Sequence, residues 1–106
     1  MNWQVEFRPE VEQDIAEAAA WYEARQPGLG MEFAEEVICV CDALAENPFL
    51  NCRRHSNKNV RWRYPDRFPY RVIYEVSEPR QTVVVAAVLH AARHEREWQR
   101  RIGTTE

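Results

Sequence analysis

Nine consecutive residues late in the chain, Gln81 to Leu89, are almost continuously apolar and rich in valine. A run this short and this β-branched reads as a strand at the centre of a sheet. The chain supplies neighbours for it. Val60, Trp62 and Tyr64 alternate with Arg61 and Arg63, and Tyr70, Val72, Tyr74 and Val76 alternate with Arg71, Ile73 and Glu75, which is the two-residue period of strands. Pro65-Asp66 separates these two strands, and Ser77-Glu78-Pro79-Arg80 turns the second into the apolar run.

The first half supplies one more strand and the helices that cover the sheet. In Trp3-Gln4-Val5-Glu6-Phe7-Arg8 the apolar residues alternate again. Pro9 suits a first helical position, where its missing N–H costs nothing, and Glu10, Glu12 and Asp14 favour the positive end of a helix dipole. A helix is predicted from about residue 9 to 25, with Val11, Ile15, Ala18, Ala19 and Tyr22 as its buried stripe. Gln26-Pro27-Gly28 breaks it. Leu29, Phe33, Val37, Val40 and Leu44 restart the period until Asn47-Pro48 ends it, so two helices form a hairpin. The expected fold is α+β, of order β-α-α-β-β-β with a short helical tail at about residues 94 to 101. The hairpin packs on a small, mainly antiparallel four-stranded sheet, and residues 1–106 form one domain.

At 106 residues and 45% hydrophobic content, the chain is large enough to bury a core, and it is too apolar for disorder. No run approaches the roughly 18 apolar residues of a membrane span, and the start lacks a secretion signal, so a soluble cytoplasmic protein is expected. Cys39, Cys41 and Cys52 are odd in number and lack a zinc spacing, which points to reduced thiols. Net charge is −3, unevenly spread. Residues 1–52 hold two basic side chains against eleven acidic ones, whereas residues 53–101 hold twelve basic against five acidic. A cationic half is the footprint of a surface for nucleic acid or an acidic protein; the alternative is a solvated sheet face paired with the acidic helices.

Several stretches in this order resemble the RelE/ParE superfamily of toxins: Pro27-Gly28-Leu29-Gly30 leading to Phe33, then Asn47-Pro48, then Phe68-Pro69-Tyr70-Arg71-Val72-Ile73-Tyr74, then Val88-Leu89-His90-Ala91-Ala92-Arg93 and Trp98. The likeness is greatest to the plasmid-stabilisation proteins grouped with ParE. It implies the toxin of a type II toxin–antitoxin pair, neutralised by a cognate antitoxin that wraps it, with no cofactor and no metal. His90 and His94 are four apart, but no third ligand accompanies them.

Two targets follow from the resemblance. A RelE-like toxin cuts ribosome-bound mRNA by attack of a ribose 2′-hydroxyl, which needs a proton acceptor, cations for the phosphorane and an acid for the leaving oxygen. Arg61, Arg63, Arg71 and Arg93 fall where such toxins carry basic residues, and His90 or His94 offers an imidazole, the side-chain type suited to proton transfer near neutral pH. Arginine is a poor base, and Trp98 stands where an aromatic hydroxyl is expected. Arg71 has a structural alternative, pairing with a helix carboxylate such as Glu17. A ParE-like toxin instead binds DNA gyrase and traps the cleaved complex, needing a surface and no proton transfer; Arg63, Arg67, Arg93, Arg96, Trp98, Arg100 and Arg101 are the candidates for it. The missing hydroxyl favours gyrase. A third reading is a non-toxic remnant or RNA-binding module, with Tyr64 and Tyr70 stacking bases.

Overall fold

The computed structural model describes residues 2–56, 58–93 and 96–103. Its elements are β1 (Gln4–Phe7), α1 (Pro9–Arg25), α2 (Leu29–Glu46), β2 (Arg53–Arg54), β3 (Arg61–Arg63), β4 (Tyr70–Ser77), β5 (Thr82–His90) and α3 (Arg96–Gly103). They build a mixed sheet of order β1-β5-β4-β3-β2, in which β1 runs parallel to β5 and the other pairs are antiparallel. The four expected strands are present. A fifth, the two-residue β2, extends the outer edge. The helical tail runs from Arg96 to Gly103, and His94, at the start of its predicted span, lies outside the described residues.

The helical hairpin forms where the stripes require it. Phe33, Val37, Val40 and Leu44 of α2 are buried, with Val11 and Ala18 of α1, against Val72, Tyr74, Val76, Val83, Val85 and Val88 of the sheet. The turn is fixed by backbone chemistry. Gly28 adopts φ +91°, and the Glu23 carboxylate accepts the N–H groups of Gly28 (2.9 Å) and Gly30 (3.0 Å), two donors that the start of α2 would leave unpaired. Gly30 lets the two helices approach so closely that an added Cβ would lie 2.5 Å from the Ala19 carbonyl oxygen.

The opposite face carries a smaller core, in which Trp98 and Ile102 of α3 cover Val60, Ile73, Ala87 and Leu89. The apolar run, β5, lies second from the edge with β4 at the centre, and it is apolar throughout because both its faces are roofed. It also contains one residue more than its partner. Val72 pairs with Val88 and Ile73 with Ala87, but Tyr74 pairs with Val85, leaving Ala86 as a β-bulge. Val83 and Val85 face the hairpin, and so does Val88, where strict alternation would have placed residue 87.

Replacing Gly30 with alanine should destabilise the protein by about 1–3 kcal/mol, because neither the helix backbone nor the added methyl can give way. Urea unfolding should show a lowered midpoint with an unchanged slope; an unchanged midpoint would mean that the hairpin can open without cost.

Candidate functional site

Among the described residues no strand covers the outer edge of β5 beyond Val85, since β1 pairs with it only through that residue. A side chain from each of two helices closes this edge. Asp14 of α1, buried at 8% exposure, accepts the Val88 N–H (3.0 Å). Arg101 of α3 grips both oxygens of the same carboxylate (2.7 and 3.1 Å) and also donates to the Ala86 carbonyl (3.1 Å). The bonds from Asp14 raise the Arg101 pKa above its ordinary value against the opposing cost of burial. Arg101 is thus spent on structure.

Above this pair opens a groove of about 610 Å³ between α1 and the end of β5. Trp21, half exposed, and Tyr22 form one wall; Tyr70, His90 and Arg93 form the other. Burial raises the phenol pKa of Tyr22, reinforced by Tyr70. Burial also raises that of Tyr70, against the opposing charge of Arg93. Both phenols therefore keep their protons near neutrality. The His90 ring sits 5.2 Å from that of Tyr70, and its Nδ1 accepts the Ala92 N–H at 3.0 Å. Arg93 donates to Glu97 (3.1 Å), bridging the mouth of the groove to α3. Tyr70 packs against Phe33 and Tyr22, so it is part of the core as well as of the wall.

The strand register separates the remaining candidates. Directly opposed residues of an antiparallel pair point to one face. Arg61 opposes Tyr74 and Arg63 opposes Val72, both in the hairpin-side core, so these two arginines face the hairpin. Arg71 opposes Leu89, in the core beneath α3, and its guanidinium lies 5.1 Å over the ring of Trp62 on that face. It does not meet Glu17, which lines the groove on the other side. Arg61 and His90 share a face, but their β4 partners Tyr74 and Tyr70 are four positions apart, roughly 13 Å along the strand. The four residues a RelE-like reaction would use are therefore not gathered around one point.

Of the surface candidates, Trp98 is 2% exposed and anchors α3 from inside. Arg67 clamps α2 through Glu32 (3.1 Å) and Glu36. Arg96 and Arg100 are exposed on α3, and Arg63 is half-buried. Sequence reasoning missed Asp14 and Trp21. Asp14 interrupts an apolar stripe three residues after Val11, which is the signal that could have found it; nothing in the local sequence marks Trp21. Burial pushes the Cys41 thiol up to about 11, with Asp42 adding to it, so that thiol stays protonated. Among the described residues no three His, Cys, Asp or Glu side chains converge as metal ligands, and no helix is long and apolar enough to cross a membrane.

The fold is that of solved toxin–antitoxin proteins. A chain of the chromosomal ParDE system from P. aeruginosa superposes with a TM-score of 0.72 at 11% identity, over 83% of this chain and 95% of that one. A chain of the RelBE2 toxin–antitoxin complex from Mycobacterium tuberculosis gives 0.58 at 20% identity, over 85% and 99%. No curated protein matches. The architecture is thus that of the RelE/ParE superfamily. Residues 5–95 match the family described as ParE toxin of the type II toxin–antitoxin system parDE, and the chain belongs to that family.

Asp14→Ala should cost about 3–5 kcal/mol, since it leaves the Arg101 charge and the Val88 N–H without their partner. Limited proteolysis should then cut at α3 first; unchanged cutting would show that the pair does not hold that helix. The Arg67 clamp should show in acid. Burial pushes the Glu36 carboxyl up, but the hydrogen bonds and charge of Arg67 outweigh this and hold it below 4.5. A carboxyl depressed in the folded state stabilises fully above its unfolded value and loses that contribution as pH falls through the folded one. The urea midpoints of wild type and Arg67→Gln should therefore differ at pH 6 and converge below Glu36's lowered value; a gap that persists in acid would assign the clamp's effect to packing.

Proposed function

We propose that this toxin arrests growth by binding DNA gyrase and trapping its cleaved DNA complex, and that a cognate antitoxin neutralises it in the cytoplasm. The observation that carries this reading is the scatter of the would-be catalytic groups. Arg71 lies on one face of the sheet, Arg61 on the other, and His90, with Arg93 beside it in the groove, at the far end of that second face. Cleavage of RNA needs a base, a cation and an acid around one phosphate. Poisoning a larger enzyme needs only a complementary surface, and α3, to which Arg93 at the groove mouth is tied through Glu97, carries the exposed Arg96 and Arg100.

The same groove supports a docking place for the antitoxin. Its walls are aromatic, Trp21 remains half exposed, and a segment that folds on binding could fill it. A second reading, ribosome-dependent cleavage of mRNA, draws on the fact that His90, Tyr70 and Arg93 do share this groove.

The test is to incubate antitoxin-free protein with gyrase, ATP and supercoiled plasmid, then treat with detergent and protease. Linear DNA that requires both proteins is expected, and His90→Ala should leave its yield unchanged. Absence of linear product from folded, toxic protein, together with codon-periodic cuts in translated messages, would move the assignment to RNA cleavage.

A further inference from the structure

The charges that line the groove between α1 and the end of β5 do not cancel. Apart from its phenols, its ionisable side chains are Asp14, Glu17, His90 and Arg93. Asp14 is answered by Arg101 (2.7 Å) and Arg93 by Glu97 (3.1 Å), while His90 accepts the Ala92 N–H. Glu17 is exposed and accepts the neutral side-chain amide of Gln13 (2.8 Å); among the described residues no cation pairs with it. One helical turn further on, the half-exposed Trp21 stands on the same face of α1. Arg25 holds that indole, with its guanidinium 3.5 Å from the ring centroid and a hydrogen bond to the Trp21 carbonyl (3.3 Å). The groove therefore presents one uncompensated carboxylate beside one fixed aromatic ring.

We infer that the antitoxin segment seated in this groove presents a lysine or arginine to Glu17, with the alkyl stem of that side chain lying along Trp21. The inference rests on the groove being the antitoxin's docking place. A carboxylate next to an aromatic ring suits a long cationic side chain, because the carboxylate takes the charge and the ring takes the apolar stem. Backbone pairing with β5 is closed to the segment at this point, since Asp14 holds the Val88 N–H (3.0 Å) and Arg101 the Ala86 carbonyl (3.1 Å). Recognition falls to side chains instead. An acidic side chain facing Glu17 would set two like charges together in a partly desolvated groove, so Glu17 rejects wrong partners as well as attracting the right one.

The probe is a displayed library of short amphipathic peptides with one apolar stripe, each flanking position varied among lysine, glutamate and glutamine, selected on the purified full chain. Lysine should be enriched over glutamine about fivefold at one flanking position, with glutamate depleted there. The bias should shrink as salt is raised. Glu17→Lys, an exposed change that leaves the core alone, should exchange the two preferences. Glu12→Lys makes the same change of charge on α1 outside the groove and should leave them as they are. Trp21→Ala should release the selected peptides. Retention that needs Trp21 but shows no lysine preference, or an unaltered preference on Glu17→Lys, overturns the inference and leaves the groove as a docking place. Reversal by Glu12→Lys as well would assign the bias to the acidic helix as a whole and equally overturn it. Peptides held as well by Trp21→Ala, or none held by the wild type, would remove the groove reading and the inference with it.

Discussion

One extra residue in β5 sets the terms for much of this molecule. The bulge at Ala86 turns Val88 back toward the hairpin core and leaves an N–H and a carbonyl on an edge that β1 does not reach. Asp14 and Arg101 answer both groups at once. A buried ion pair is ordinarily a weak source of stability, because desolvation cancels most of the attraction. Here its value lies in position: it joins the first helix to the last across the open edge of β5, and α3 is thereby held over the second core.

The sheet acts as a partition between the cations of the second half. Period-two geometry sends neighbouring strand residues to opposite faces, so arginines that are close in sequence end on different sides. Arg71 rests on Trp62 under the α3 side, whereas Arg61 rests on Phe49 on the hairpin side. A chain built in this way presents several separate basic places, which suits recognition of a large partner better than chemistry at a single atom.

Much of the fold could be read from the residues. Helical periodicity located α1 and α2 because their buried stripes are long, and a stripe of fifteen or so residues is a strong signal. The two-residue β2 could not be read, since Arg53 and Arg54 carry no periodicity and join the sheet only because β3 offers a free edge. Nor could the bulge, as valines and alanines fit either phase of a strand that is covered on both faces. The candidate site was less legible. His90, Tyr70 and Arg93 do meet in one groove, and Trp98 anchors the tail, as an indole in so polar a segment suggests, while Arg101, which looks like a surface residue, is drawn inward by a carboxylate far away in sequence.

The sequence by itself determined the element order, the hairpin stripes and the kinship with RelE/ParE toxins, because these rest on spacing along the chain. Which arginines share a face, which are consumed by Asp14, Glu32 and Glu36, and which are left with uncompensated charge was decided only by the tertiary structure. A cation's role depends on the distance to its nearest carboxylate, and that distance is set by strand register and helix packing between residues as far apart in the chain as Asp14 and Arg101.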